Sequence, residues 1–164
     1  MKYVRMESKN VSLEPISDYE FKAYMEKSIG EFAKEKVRSH NWKENEAMEL
    51  SKKSFLKLLP DGKNTKGHAV MSIIDKENGK NIGVMWVEWK NKEFDSTYIW
   101  DIVIYEEFRR MGYGFSAMKE LEKMAKINGS SSIVLHVFGH NKPAIEMYQK
   151  LGFITTNIIM KKEI

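Results

Sequence analysis

The spacing of apolar residues predicts helices in the first third of the chain and strands after it. Residues 11–15 alternate like a short edge strand, and Ser17 and Glu20 then form an S-x-x-E capping box that opens a helix. The buried face of this helix follows at helical spacing and ends on a basic residue: Phe21, Met25, Ile29, Phe32 and Lys36. A second helix follows Asn41, which with Glu44 could cap it, and stops at Pro60.

From residue 68 the period shortens to that of strands. Residues 68–74 and 82–89 are apolar runs joined by a loop with an Asn78-Gly79 turn signal, so they should pair antiparallel. A third strand over 97–104 leads into a glycine-rich turn and a helix over about 114–127.

The last third alternates strands and helices. Residues 132–137 form a strand that a helical crossover should make parallel to the third. A short helix over 144–150 and a final strand over 153–161 follow. We therefore predict an α/β (α+β mixed) fold: a mixed, mostly antiparallel sheet with helices on both faces, in a single domain over 1–164.

Composition narrows the function classes. The 164 residues are 42% hydrophobic, and 27 basic against 23 acidic residues give a net charge of +4 without a long block of one sign. This balance favours neither nucleic acid nor a membrane as partner. The chain has no cysteine, no apolar leader and no apolar window of membrane-spanning length, so we expect a cytoplasmic protein.

The segment Arg109-Arg110-Met111-Gly112-Tyr113-Gly114 carries the first chemical signal. Two glycines one residue apart, at the start of a helix, can turn backbone N–H groups and the helix dipole toward an anion. The alternative is an ordinary strand-to-helix turn with solvated arginines. Gly112 to Ala117 also fits G-x-G-x-x-A, but no carboxylate follows at the ribose-binding distance, so a dinucleotide site is disfavoured.

A second segment runs from His140 to Phe153. Its pattern Asn141-x-x-Ala144-x-x-x-Tyr148-x-x-x-Gly152-Phe153, together with Arg109-x-x-Gly112-x-Gly114, resembles the two signature motifs of the GNAT superfamily of acetyl-CoA-dependent N-acetyltransferases. The likeness is closest over residues 99–153. Residues 135–141 resemble a subgroup of small, uncharacterised bacillus-type members.

The resemblance implies a set of cofactor contacts. Backbone amides of the loop would hold the diphosphate of coenzyme A, and the preceding strand would line the pantetheine arm. Asn141 would contact the cofactor, and Tyr148 would protonate the departing thiolate. The residues concerned are Ile102, Val103, Ile104, Arg109, Arg110, Met111, Gly112, Tyr113, Gly114, Phe115, Asn141 and Tyr148.

The base that deprotonates the amine is open between two carboxylates. Glu88 and Asp101 each interrupt an apolar strand, where a carboxylate either faces solvent or lies in a cleft with a perturbed pKa. Asp101 is favoured because it lies nearer the cofactor motif. His136 has suitable chemistry, but a lone histidine in a short strand is more often a hydrogen-bonded core residue.

These observations predict an acetyl-CoA-dependent N-acetyltransferase that acts on a primary amine of a small molecule or peptide. With no cysteine and no G-x-S-x-G elbow, direct attack in a ternary complex is the simpler mechanism. The histidine spacing indicates no metal site. A non-catalytic acetyl-CoA-binding regulatory module is the alternative. The acceptor, and whether the protein is a monomer or a homodimer, stay open.

Overall fold

A five-stranded sheet organises the protein, described here from a computed structural model over residues 8–164. The strands are β1 (Val11–Pro15), β2 (His68–Asp75), β3 (Asn81–Asn91), β4 (Ser96–Ile104) and β5 (Ile133–Leu135). They lie side by side in chain order. β1 to β4 pair antiparallel, whereas β5 pairs parallel to β4. The predicted mixed, mostly antiparallel sheet is confirmed.

The turn between β2 and β3 is built as its sequence indicates. The Asp75 carboxylate accepts hydrogen bonds from the Glu77 backbone N–H and the Asn78 side chain. Gly79 has a φ of +70°, which glycine adopts without steric cost. The Asn78-Gly79 signal therefore produces the antiparallel hairpin that it predicts.

Four α-helices cover the sheet in the described part of the chain: α1 (Asp18–Arg38), α2 (Glu44–Leu58), α3 (Tyr113–Ile127) and α4 (Lys142–Lys150). The predicted capping box at Ser17 and Glu20 is present at the start of α1. The expected cap of α2 by Asn41 is wrong, because Lys43 occupies the N-cap position and Asn41 donates instead to the Ser39 carbonyl. None of these helices is both long and apolar enough to cross a bilayer.

The helices divide between the two faces of the sheet and bury a core on each. One core joins α1 and α2 to the sheet through residues such as Tyr24, Phe55 and Trp86. The other joins α3 and α4 to it through residues such as Leu121 and Tyr148. The predicted placement of helices on both faces is confirmed.

The predicted final strand over 153–161 is wrong. These residues have no regular secondary structure, and most of the segment is exposed, with Ile159 at 94%. A strand requires a hydrogen-bonded neighbour, and β5, the edge strand that precedes this segment in the chain, is only three residues long. β-branched residues such as Ile154, Thr155 and Thr156 favour a strand but cannot supply the partner.

Candidate active site

A cleft opens where β4 and β5 separate. Their parallel pairing ends at Ile99 and Leu135, yet β4 continues to Ile104. The cleft has a volume of about 1430 Å³ and reaches from α1 and α2 to the start of α3 and to α4. Its wall includes most of the sequence-predicted site residues: Asp101, Ile102, Val103, Ile104, Arg109, Arg110, Gly112, Tyr113, Gly114, Phe115, Asn141 and Tyr148.

The glycine-rich loop forms one end of the cleft. Arg110 and Gly112 have φ values of +61° and +88°, so the chain turns sharply just before α3. No backbone N–H of residues 110–115 donates a hydrogen bond to an acceptor within residues 8–164. Consecutive free N–H groups at a helix start are suited to hold an anion.

Gly114 allows close packing at this loop. A Cβ atom there would lie 3.2 Å from the Met147 sulfur of α4 and 3.7 Å from a side-chain carbon of Ile104. The arginine beside the loop is partly engaged, because Arg109 Nε donates to the Ile104 carbonyl at 3.0 Å. Loop, strand end and α4 are thus held together.

A β-bulge in β4 turns Asp101 toward α1. Trp86 is opposite Asp101 and Val87 is opposite Ile99, which leaves Trp100 as the extra residue. A bulge of this kind redirects the side chains that follow it. Trp100 consequently packs in the core beneath α1 and α2, while the Asp101 carboxylate accepts a hydrogen bond of 2.9 Å from the Tyr24 hydroxyl.

The surroundings of Asp101 perturb three pKa values. Burial raises the pKa of Asp101, and hydrogen bonds from Tyr24 and Ser28 offset part of this effect. Burial and the Asp101 charge raise the pKa of Tyr24 well above its ordinary value, so its hydroxyl stays protonated and donates. Burial, followed by the charge of Asp101, raises the pKa of Tyr148 to about 12.

Tyr148 lies in α4 and is 8% exposed. Its ring packs on Phe153, with ring centres 5.6 Å apart. The Tyr148 hydroxyl makes no hydrogen bond within the described residues. Every fully buried side-chain nitrogen or oxygen in that part of the chain has a hydrogen-bond partner, so this hydroxyl must retain some solvent access. The cleft therefore contains an accessible phenol whose pKa is raised in part by the charge of Asp101.

Three predicted site residues do not present a free side chain to the cleft. Met111 does not line the cleft and is 47% exposed. Glu88 also lies outside the cleft wall, where its carboxylate accepts hydrogen bonds from Trp100 Nε1 and Asn91 Nδ2. Asn141 lines the cleft, but its side chain caps α4 by accepting from the Ala144 N–H.

The part of the cleft wall next to α1 and α2 is rich in aromatic side chains, from the sheet as well as from the helices, that no motif predicts. Trp86 and Trp100 stack with ring centres 5.7 Å apart, and Tyr98 lies 4.7 Å from Trp100. Phe32 of α1 contacts Phe138, which follows β5. The helical stripe containing Phe32 was visible in the sequence, but its contact with a residue more than a hundred positions away was not.

Comparisons with known proteins point to the family that the sequence motifs resemble. A model of the Acetyltransferase (GNAT) family matches residues 34–153. The uncharacterised N-acetyltransferase YdgE of Bacillus subtilis is 32% identical over 157 residues, covering 93% of this chain and 98% of that protein. The uncharacterised N-acetyltransferase YycN of the same organism is 33% identical over 156 residues, covering 94% and 99%.

Solved structures agree with the sequence relatives. The crystal structure of YycN superimposes with a TM-score of 0.89 at 31% identity, covering 94% of this chain and 99% of that one. Spermidine N-acetyltransferase from Vibrio cholerae, solved with CoA and spermine, has a TM-score of 0.60 at 15% identity, covering 90% and 82%. The second likeness concerns the fold alone. The sequence motifs, the cleft and the family match together establish that the chain belongs to the GNAT family of acetyltransferases.

Proposed function

We propose that the protein transfers an acetyl group from acetyl-CoA to a primary amine of a small molecule or peptide. The observation that carries this proposal is that Asp101 and Tyr148 line one cleft at the point where β4 and β5 separate. Deacylation of a thioester by an amine needs one group to take a proton and another to give one. A carboxylate and a phenol supply this pair.

The loop residues fit the diphosphate of coenzyme A. The residues of this loop other than Met111 line the cleft, their backbone N–H groups are free within residues 8–164, and the side chains of Arg109 and Arg110 add positive charge. The recognition would be mostly by the main chain. Asn141 would act here chiefly by fixing the start of α4, because its side-chain oxygen is used in the cap.

The separated strands fit the pantetheine arm. Ile102, Val103 and Ile104 pair with β3 but have no β5 neighbour, so the other edge of this part of β4 is left without a strand partner beside the cleft. Acetyl-CoA, when bound, supplies an acetyl group activated as a thioester. The role of the β4 backbone would be to orient that group and to donate an N–H toward its carbonyl.

Asp101 is the proposed base. An alkylammonium is mostly protonated at neutral pH, and a carboxylate with a raised pKa accepts its proton more readily than an ordinary one. The Tyr24 hydroxyl holds the carboxylate in place at 2.9 Å. Glu88 is a weaker candidate because its carboxylate is committed to Trp100 and Asn91.

Tyr148 is the proposed acid. With a pKa of about 12 it keeps its proton at every physiological pH, and its hydroxyl can donate toward the departing sulfur. The amine would attack directly in a ternary complex, since the chain has no cysteine to form an acyl-enzyme. The structure of the Vibrio cholerae relative with CoA and spermine supports such joint binding on this fold.

A steady-state assay tests the proposal. The purified protein is incubated with acetyl-CoA and a panel of primary amines, and free thiol is measured. We expect amine-dependent thiol release that Tyr148→Phe reduces by about a hundredfold or more, within the range of general acid–base contributions. Binding of acetyl-CoA without release for any amine would favour a non-catalytic regulatory module instead.

A further inference from the structure

One helix face connects the proposed base to the far end of the cleft. Tyr24, Ser28, Phe32 and Lys36 recur every four residues along α1, and all four line the cleft. Twelve residues separate Tyr24 from Lys36, which corresponds to about 18 Å along the helix axis.

Lys36 ends this face in an aromatic cage. Its ammonium lies 5.3 Å from the ring centre of Phe32, 5.4 Å from that of Trp42 and 5.9 Å from that of Phe138. The three rings come from α1, from the loop after it and from the segment after β5. The cage therefore holds a cation where the end of α1 and the loop after it meet the distant segment after β5.

This cation has no acidic partner within residues 8–164. The two carboxylates of α1 that line the cleft are already engaged: Glu31 pairs with Lys34 at 2.8 Å, and Glu35 contacts His140 and Arg38. Lys36 forms no ion pair in the described residues. Burial lowers its pKa and no carboxylate opposes the effect.

The Glu35 carboxylate near the cage is paired with His140 and Arg38, and the other polar side chains against Phe138 are two imidazoles. His136 packs edge-on against Phe138 at 4.9 Å, and His140 stacks on the same ring at 5.6 Å. Burial and the charge of Lys36 lower the pKa of His136. A ligand that entered this end of the cleft would therefore meet a cation and imidazole rings.

We propose that Lys36 binds an anionic group of the acceptor, so that the substrate is an amine with a carboxylate or phosphate at its opposite end. The amine would lie at Asp101 and the anion at Lys36, with the apolar middle against the aromatic wall. This inference rests on the proposed function for the position of the amine. It excludes polyamines as preferred acceptors.

Matched linear amines test the proposal by binding. The probes are 8-aminooctanoate, 8-aminooctyl phosphate, octylamine and 1,8-diaminooctane, titrated calorimetrically into the protein saturated with coenzyme A. We expect at least one anionic probe to bind about tenfold more tightly than octylamine, because a charge-assisted contact is added. The stronger of the two identifies carboxylate or phosphate. The short 4-aminobutanoate should lose the advantage because it cannot span the distance.

Three variants separate a specificity role from a structural one. Lys36→Met should remove the tenfold preference and leave octylamine binding unchanged, whereas Lys36→Arg should keep it. Lys22→Met, on the same helix but outside the cleft wall and in no ion pair within residues 8–164, should behave as wild type. A thermal-shift response to acetyl-CoA confirms that each variant is folded.

The same probes in the acetyl-transfer assay give a second readout. Lys36→Met should raise KM for the preferred anionic probe about tenfold with kcat little changed. If no probe is acetylated, the proposed function fails, and the binding preference still decides the present inference. Equal binding of all probes, no binding of any, or a preference for 1,8-diaminooctane would overturn it.

Discussion

The cleft has two halves that the protein builds in different ways. The half that we assign to the cofactor consists of a strand end, a loop and two helix starts within residues 101–148, and its polar groups are largely backbone. The half that we assign to the acceptor is walled by side chains from α1, α2, β3, β4 and the segment after β5. Backbone recognition depends on local geometry, whereas a side-chain wall depends on tertiary contacts.

This difference suggests that the two halves respond differently to substitution. The backbone N–H groups of residues 110–115, which we call the cradle, tolerate many side chains, provided that the left-handed conformation of Gly112 is available. The aromatic wall changes with each substitution. Predictions that separate the two halves therefore test the division.

The largest expected effect is at Asp101, where the halves meet. Asp101→Asn keeps the volume and can still accept the Tyr24 hydrogen bond, but it cannot take a proton. We expect kcat to fall by about 10² to 10⁴-fold, with acetyl-CoA affinity unchanged. Glu88→Gln is the control, and its kcat should stay within a few-fold of wild type. A larger loss for Glu88→Gln than for Asp101→Asn would move the base to Glu88.

The pH dependence of kcat should be one-sided, with a fall on the acid side only. Below the raised pKa of Asp101 the carboxyl is protonated, so kcat should fall about tenfold for each unit of decreasing pH. Because the pKa of Tyr148 is about 12, no fall is expected on the alkaline side up to about pH 10. A profile recorded with both substrates saturating checks this. A bell shape centred near neutrality would contradict the assignment of Tyr148.

An intermediate effect is expected at the cradle. Gly112→Ala places a side chain at a φ of +88°, which strains the loop, and should weaken acetyl-CoA binding about tenfold. Gly129→Ala introduces similar strain at a φ of +78° at the other end of α3, outside the cleft wall. Calorimetry should therefore show normal acetyl-CoA affinity for Gly129→Ala, although both variants lose stability. Equal loss of affinity in the two variants would make the Gly112 effect merely structural.

A smaller loss is expected from the arginine side chains if the main chain dominates. Arg109→Ala should weaken acetyl-CoA binding by only about threefold, because the residue is exposed and its Nε is engaged with the Ile104 carbonyl. Titrations at two salt concentrations measure its electrostatic share. A loss greater than that of Gly112→Ala would reverse the proposed order of contributions.

The smallest expected effect is a gain in stability for Asp101→Asn. Burial raises the pKa of Asp101 above its ordinary value of 3.8, so the ionised form destabilises the native state. This cost is absent below the unfolded pKa and grows as pH rises through the folded pKa. The variant should therefore melt about 2–4 °C higher near pH 8, and the difference should vanish near pH 4. A lower Tm at pH 8 would show that the ionised carboxylate is net stabilising.

The two halves also differ in how far the sequence could predict them. The proposed diphosphate loop lies in one continuous segment, so the glycine spacing and the following helix can indicate it from the sequence alone. The β4 bulge at Trp100 was not predictable, because the residue count of β4 against β3 appears only when the strands pair. The Lys36 cage likewise needs Phe138, which the fold brings from the far end of the chain.

Errors in the prediction have a related cause. The segment 153–161 is rich in the β-branched residues isoleucine and threonine, but a strand also needs a hydrogen-bonded partner, and the edge strand β5 is only three residues long. In sequence, Glu88 and Asp101 differ only in their distance from the cofactor motif, whereas in the structure Asp101 lines the cleft and accepts from Tyr24, and Glu88 accepts from Trp100 outside the cleft wall. Local pattern thus predicted the elements, while the partners of each element had to be observed.

The central claim is that this cleft binds acetyl-CoA. A thermal-shift titration with acetyl-CoA, free coenzyme A and NAD tests it most directly, since a ligand that binds only the folded state raises Tm. We expect stabilisation by both coenzyme A species, none by NAD, and a response that needs about tenfold more acetyl-CoA in Gly112→Ala. Absence of any shift with either coenzyme A species at millimolar concentration would contradict it.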